Sequence, residues 1–553
     1  MKKIISKIMT VVMAMTMVFA MSIPAFAAEN DTQQAEQVKL TINGQKGAEY
    51  EVYQVMSAKK ISDGLYTYTI SSDFEKAFPL TANSKQYVLN ANKEICIETT
   101  QDGKPVQTPV ASDGTGYDKS TYDANSDAAY LAAALQNSAK TVAARLTITD
   151  KSASATLPIG YYLVKQTKVP ESTDKINGYV ASKPVLVNLT EEKTVTAKDD
   201  IEKLDKTITG LNTDTTQKLD ENTAKIGDKI NYKVTTYIPT YGADVDKTQL
   251  KFWLSDTFSN GITYDDNVKV YISGTEGDTS AAAEVKTGYT IEKNTDGCTF
   301  KIKFDSATVD KYQGKYVTLV YSGTLNQNAV VNSSDGNPNT IKLDYTNAPG
   351  NGEDHLTDKV KTYTFGLGVK KVDKATQEEL DGAVFTLTKK GESTPIKFVK
   401  VSDDEYRVAT DKDTDTVTDI AVNSKSGHNP VIKGLNEGDY ILHEKTAPDK
   451  YSVVPDITVT IKANKNDEGK YTGAATISVS SGKLQDGTKP ADQNNKVTVT
   501  DGNVNINVYV EDTKGISLPE TGSKTAMYCL YAGALLVVLG AAFFGITSRK
   551  KNK

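Results

Sequence analysis

Five consecutive residues, Leu518-Pro519-Glu520-Thr521-Gly522, carry types and spacing that could do chemistry. Directly after them come an apolar run at 526–546 and a basic end, Arg549-Lys550-Lys551-Asn552-Lys553. The run holds about twenty residues without a charge. As a helix rising about 1.5 Å per residue it spans roughly 30 Å, one hydrocarbon core. The cationic end does not follow it through and stays cytoplasmic. This order parks the pentapeptide just outside a membrane, in a flexible segment that an enzyme can thread.

Other constellations offer less. His355, His428 and His443 are scattered and no cysteine clusters with them, so neither a metal site nor a catalytic triad is expected. Asp411-Lys412-Asp413-Thr414-Asp415 imitates the start of a calcium loop. However, Thr416 stands where the turn needs Gly and Val422 where the loop needs its closing Glu, which reads as an acidic surface loop. No metal or cofactor is expected. The net charge of −6 and pI of about 5.5 come from interspersed acids and bases. Nucleic-acid binding, which requires a concentrated basic face, is not expected.

The N-terminus sets the compartment. Lys2, Lys3 and Lys7 precede an apolar stretch at 8–23, and Ala25-Phe26-Ala27 forms a small-residue cleavage site. Residues 1–27 are expected to be a signal peptide, cut after Ala27, and the mature chain to be secreted. Three cysteines are few for an exported chain. Cys529 lies in the terminal apolar run. Cys96 and Cys298 are far apart and are expected as two unpaired buried thiols rather than a disulfide.

The elements that must position any chemistry read as mainly β. The 29 tyrosines, with frequent Thr and Val, fall in short alternating segments between Gly, Asn and Asp turns. Tandem immunoglobulin-like β-sandwiches are expected, with an N-terminal signal peptide and a C-terminal transmembrane helix. Ser126-Asp127 caps one Ala-rich helix at 128–136, expected as an insertion on the first domain. The expected divisions are a first sandwich with this insertion at 28–198, a middle domain at 199–358, a third at 359–515 and the terminal signal at 516–553. Within the middle domain 348–358 reads as a polar linker following a last strand, Ile341-Lys342-Leu343-Asp344-Tyr345-Thr346-Asn347.

The terminal pentapeptide, apolar span and basic tail resemble the cell-wall sorting signal of Gram-positive surface proteins. That resemblance implies a sortase that cuts between Thr521 and Gly522 and passes the Thr carbonyl to an amine. The third domain resembles CnaB-type modules of Gram-positive adhesins and pilins. It does so through Lys371-Val372-Asp373, through Leu380-Asp381-Gly382-Ala383-Val384-Phe385, and through an E-box in Gly438-Asp439-Tyr440-Ile441-Leu442-His443-Glu444-Lys445-Thr446-Ala447-Pro448. The resemblance implies a covalent Lys–Asn or Lys–Asp bond between first and last strands, and the roles fall on Lys371, Asp512 and the E-box acid Glu444. Most relatives carry Asn where Asp512 stands; Asn would release ammonia and Asp water. The chemistry follows from burial, which favours the neutral amine and the protonated acid. The amine can then attack a carbonyl carbon while the acid stabilises the developing oxyanion. Folding supplies the proximity.

The middle domain resembles that of shaft pilins. Lys206 stands on its first strand, Asp256 follows Trp253-Leu254-Ser255, and alternation puts Ile341, Leu343, Tyr345 and Asn347 on one face. Lys206 is expected to bond to Asn347 with Asp256 as the acid. The first domain has the shape of an E-box, Gly160-Tyr161-Tyr162-Leu163-Val164-Lys165-Gln166, but Gln166 cannot donate a proton as an acid does, so no efficient crosslink is expected there. Shaft pilins use a lysine at the end of the first domain for polymerisation. That match falls on Lys198 in Val195-Thr196-Ala197-Lys198-Asp199-Asp200, although Ala197 replaces the family's usual Pro. Lys203 is next, and Lys193 after it.

These resemblances imply a structural shaft subunit of a covalent surface pilus, joined from Thr521 of one chain to Lys198 of the next and supporting adhesion. It would be a sortase substrate whose self-crosslinking happens once, not a turnover enzyme. The implied partners are pilus-specific and housekeeping sortases, identical subunits head to tail, minor pilins and peptidoglycan, with transient membrane insertion. The expected location is secreted, at the cell surface, anchored to the wall. The alternative reading is a wall-anchored monomeric adhesin, or a tip or base pilin, binding a host protein or glycan.

Overall fold

The fold was read from a computed structural model, which describes residues 36–109 (except 83), 127–170, 177–197, 200–241, 245–486, 496–499, 506–515, 528 and 530–539. The signal sequence, Ala27, Lys198, Leu518, Pro519, Glu520, Thr521 and Gly522 lie outside these residues, as does most of 526–546. Residues 530–539 are helical, and among the described residues no helix is long and apolar enough to cross a membrane. The fold is strand upon strand, as its composition requires. The chain divides into two compact units at Thr364/Phe365, with the segment Lys465–Gly473 counted in the first.

The first unit holds the first and middle predicted domains. Strand Gln37–Asn43 pairs with Ser152–Pro158 and, in parallel, with Lys193–Thr196. A five-stranded sheet is built around Glu49–Ser62, which pairs with Gly160–Lys168, Leu65–Ile70 and Val142–Thr147. Strand Gly160–Lys168 is buried on both faces, and its alternation explains how. Tyr162 and Val164 join one core with Leu40, Ile42 and Val52, while Tyr161 and Leu163 join another with Phe74, Tyr87 and Leu131. The second core is closed by the excursion between Ile70 and Val142, which contains a four-stranded sheet and helix Asp127–Leu135. The expected helix at 128–136 is thus found within a residue at each end.

Further along the same unit, two six-stranded sheets face each other. One carries Asp205–Leu211, Lys229–Tyr237 and Tyr316–Leu325; the other carries Gly352–Tyr363, Asn337–Ala348, Phe252–Phe258 and Cys298–Phe304. The stretch 348–358 is not a linker. Apart from a short turn at Pro349–Asn351 it is a strand, Gly352–Tyr363, antiparallel to Asn337–Ala348 throughout. Leu356 and Val360 are buried, and the charged residues between them are more exposed, which gives the stretch its polar look. Cys96 and Cys298 are both free and buried.

The second unit is a sandwich of two six-stranded sheets. In one, the opening strand Phe365–Asp373 lies parallel to Ile506–Asp512, with Lys371 opposite Val510 and Asp373 opposite Asp512. The other sheet carries Ala383–Lys389 next to Gly438–Thr446. The loop Asp411-Lys412-Asp413-Thr414-Asp415 is held by the Arg407 guanidinium, which donates to both Asp413 oxygens at 2.9 and 2.6 Å. Among the described residues no group of acids, histidines and cysteines is arranged to hold a metal.

Candidate functional site: two buried lysine–carboxyl centres

Alternation builds both centres. In the second unit three strands send an apolar row inward and each row ends in an ionisable residue: Leu367, Val369, Lys371; Tyr440, Leu442, Glu444; Ile506, Val508, Val510, Asp512. Lys371 is 0 % exposed and its Nζ lies 2.7 Å from Glu444 Oε1 and 3.2 Å from Asp512 Oδ2. None of these three atoms completes a hydrogen bond of regular geometry. The other Glu444 oxygen accepts from the Val454 amide at 2.9 Å, which fixes the carboxyl. The Phe385 ring lies 5.8 Å from Lys371 Nζ. The sequence reading thus named all three members of this cluster. His443 points the other way, exposed and 2.7 Å from Asp456.

In the first unit Lys206 is inward on Asp205–Leu211 and fully buried. Its Nζ donates to Asp256 Oδ2 at 2.5 Å and to the Tyr321 hydroxyl at 2.7 Å, and Tyr321 in turn donates to Asp256 Oδ2. Tyr232 and Tyr321 place ring centres 5.3 and 5.2 Å from the amine. Burial pushes Lys206 below the usual lysine range, against the pull of Asp256. Burial likewise pushes Asp256 above the carboxylate range, against Lys206, Tyr321 and Asn339. Both shifts favour an uncharged amine beside an uncharged acid, the pair that nucleophilic attack requires.

Asn347 is not brought to this centre. It is buried at an irregularity in the strand pairing between Thr346 and Ala348, but Asp256 pairs with Ile341 across the strands, and Asn347 is six residues further on. At about 3.4 Å per residue that is roughly 20 Å away. Its carbonyl instead accepts from the Ala181 amide at 2.8 Å. The asparagine at the centre is Asn339, opposite Phe258 on the same strand pair and 0 % exposed. Its carboxamide acts on the ionisation of both Asp256 and Tyr232, yet neither amide atom completes a hydrogen bond of regular geometry. Asp256 Oδ1 and the Tyr232 hydroxyl are also buried without one. Asn339 shares the alternation of Ile341, Leu343 and Tyr345, so the sequence carried its signal. Tyr321 had no such signal, because its meaning depends on the facing sheet.

In the first domain Gln166 is buried. Its Oε1 accepts from the Ser182 amide and hydroxyl at 2.7 and 2.8 Å, and its Nε2 donates to the Lys168 carbonyl at 3.2 Å. Lys39, on the opening strand, is exposed. Of the candidate linkage lysines, Lys203 is exposed at the end of strand Asp200–Lys203, and Lys193 is half-exposed beside Glu191.

Three domain families match the chain. Residues 226–349 match the Gram-positive pilin backbone subunit 2, Cna-B-like domain. Residues 366–476 match the prealbumin-like fold domain, and 510–553 the LPXTG cell wall anchor motif. The chain therefore carries a Gram-positive pilin-backbone Cna-B-like domain, a prealbumin-like domain and a cell-wall anchor motif, which places it at the cell wall. Among its relatives is the trypsin-resistant surface T6 protein of Streptococcus pyogenes serotype M6, 25% identical over 368 residues, or 60% of this chain. The match spans 61% of that relative's length. Similar solved structures include the T6 backbone pilin of S. pyogenes serotype M6, at 15% identity and TM-score 0.49, covering 88% of this chain and 100% of that one. Another is the full-length major pilin SpaD from Corynebacterium diphtheriae, at 14% identity and TM-score 0.42, covering 89% and 100%.

Proposed function

We propose that this chain is the shaft subunit of a covalently polymerised surface pilus, braced by two internal amide bonds, Lys206–Asn339 and Lys371–Asp512. The observation that carries the reading is the pair of buried centres, each holding a lysine amine, an acid and a carboxyl or carboxamide carbon. At the first, the Lys206 amine attacks Asn339 Cγ, Asp256 donates to the oxygen that gains charge, and ammonia leaves. At the second, Lys371 attacks Asp512 Cγ with Glu444 as the acid, and water leaves. Burial of an ionisable group is costly, and amide formation replaces each buried amine with a neutral amide.

The remaining parts of the reading concern assembly. Sortase would cut between Thr521 and Gly522 and join Thr521 to a lysine of the next subunit, Lys198 or the exposed Lys203. That contact is heterologous and does not close, so it grows a fibre. The last subunit, or a minor pilin, would be passed to peptidoglycan. Three modules, at 28–198, 199–358 and 359–515, would each contribute a sandwich; the break at Thr364/Phe365 supports the last division within a few residues.

The test is an immunoblot of wall extracts from cells carrying the native chain, Lys198→Ala or Lys203→Ala. A high-mass ladder that disappears with one of the two substitutions supports the shaft reading and names the nucleophile. Monomer alone in the native strain would mean a wall-anchored adhesin and end the pilus reading. The internal bonds are read separately by intact mass of the soluble body, expected about 17 Da low for loss of ammonia and about 18 Da low for loss of water.

A further inference from the structure

We propose that Tyr321 is a catalytic proton relay for the Lys206 crosslink, a third working group beside the lysine and Asp256. The proposal rests on the reading that Lys206 condenses with Asn339. Its basis is the hydroxyl's position in a directed chain: Lys206 Nζ donates to Tyr321 Oη at 2.7 Å, and Oη donates to Asp256 Oδ2. The hydroxyl therefore touches the nucleophilic nitrogen and the acid at once. Tyr321 is 2 % exposed, and its ring is packed against Phe300, Tyr232 and Phe258 with centroids 5.3, 5.5 and 6.1 Å away. Burial, with the Asp256 charge second, holds its hydroxyl protonated well above the usual phenol range. It is thus available as a donor.

The carboxyl must serve two partners in succession, and this is where a relay matters. Before attack it takes the ammonium proton; during attack it donates to Asn339 Oδ1 as the carbonyl π pair moves onto that oxygen. Forming the Nζ–Cγ bond draws the amine toward Asn339. A hydroxyl in contact with both groups keeps a proton path open while the carboxyl turns to the oxyanion. The steps balance. One Nζ proton passes to Oη as the Oη proton passes to Oδ2, leaving a neutral amine and a neutral acid. After attack, a second Nζ proton follows the same path and Asp256 delivers a proton to Nδ2. The Cγ–Nδ2 bond breaks, ammonia leaves, and Asp256 remains protonated. The Lys371 centre has Phe385 near its amine, an aromatic ring with no hydroxyl, and serves as a control in the same chain.

The test follows the unlinked fraction of each bond in freshly synthesised full chain, by mass spectrometry of the crosslinked peptides. Tyr321→Phe is expected to slow the Lys206–Asn339 bond by about a hundredfold, the low end for a lost acid–base group since the direct lysine–Asp256 contact remains. The Lys371–Asp512 bond should keep its rate. A fluorotyrosine at position 321 keeps the shape and folding of the site while making the phenol more acidic; the relay predicts a rate that changes with fluorination. Equal rates for native, Tyr321→Phe and fluorotyrosine chains would overturn the proposal. A slow Tyr321→Phe with a fluorination-independent rate would also overturn it, leaving Tyr321 only to hold the site together. If the native chain forms no Lys206–Asn339 bond, the reading beneath the proposal fails as well.

Discussion

Lys206 and Lys371 hold the same place in two sandwiches, an inward residue on the opening strand, but they keep different company. In both, the acid comes from the facing sheet: Asp256 for Lys206 and Glu444 for Lys371. The acceptors differ. Asn339 also lies on the sheet that faces Lys206, so that bond would cross the core and tie two sheets together. Asp512 lies on the strand next to Lys371, so that bond would tie two parallel neighbours within one sheet. Tyrosines surround the first amine and a phenylalanine approaches the second. A buried amine beside a buried acid is the common requirement, and the sheet that supplies the carbonyl is free to change.

The largest break in this comparison comes from removing an acid. Asp256→Ala or Glu444→Ala should abolish the bond in its own unit only and leave a lysine buried without its partner, costing about 3–5 kcal/mol. Intact mass should recover about 17 Da in the first case and about 18 Da in the second, with the matching loss seen in thermal unfolding. A bond lost in the other unit would mean that the two centres are coupled.

Next in size is the choice of asparagine. Asn339→Ala should erase the ammonia deficit and destabilise the middle sandwich by up to roughly 5 kcal/mol, the chain-entropy effect of opening a loop longer than a hundred residues. Asn347→Ala should keep the deficit and cost under about 1 kcal/mol, because Asn347 serves through its main-chain carbonyl. The reverse pattern would restore Asn347 as the partner.

A smaller effect is expected with pH in the unlinked Asn339→Ala chain. Asp256 is raised in the folded state, so its contribution falls as pH rises above the ordinary carboxylate value. Lys206 is lowered, so its contribution recovers as pH rises through its folded value toward the ordinary lysine value. The pair should therefore cost most in between. Melting temperatures compared with an Asn339→Ala, Lys206→Met, Asp256→Leu chain should show the widest gap near neutrality, and a constant gap would refute the shifts. The smallest effect is chemical: Asp512→Asn should keep the Lys371 bond and change the leaving group, with a deficit of about 17 rather than 18 Da against its own sequence.

The Lys371 centre was legible through a resemblance that named Lys371 and Glu444 by motif and Asp512 by position, and its strands carry the matching pattern of an apolar row that runs into a charge, as Tyr440, Leu442 and Glu444 do. The face of Asn337–Ala348 was legible from its alternation. The choice among its three buried asparagines, Asn337, Asn339 and Asn347, was not, because it depends on which of them lies near Asp256 across the sheet. Cross-strand register is set by pairing partners distant in sequence. Reading 348–358 as a linker compounded the error by making Asn347 look terminal, when 352–363 is a strand whose Leu356 and Val360 are buried and whose Asp358 carboxyl accepts from the Lys206 amide. The strand Gly160–Lys168 shows the opposite difficulty. Alternation alone leaves one of its two faces without a partner, and the long excursion between Ile70 and Val142 gives Tyr161 and Leu163 a second core.

The parallel run of Phe365–Asp373 beside Ile506–Asp512 bears on how far such a chain can stretch. With Lys371 bonded to Asp512, a pull between Phe365 and the C-terminal anchor passes from one strand to its neighbour through a single amide. About 140 residues between them are then bypassed. Unravelled at about 3.4 Å per residue, that length would otherwise release roughly 480 Å of slack. The unit would behave as a bead threaded on a taut line, inextensible under shear flow even if its loops open.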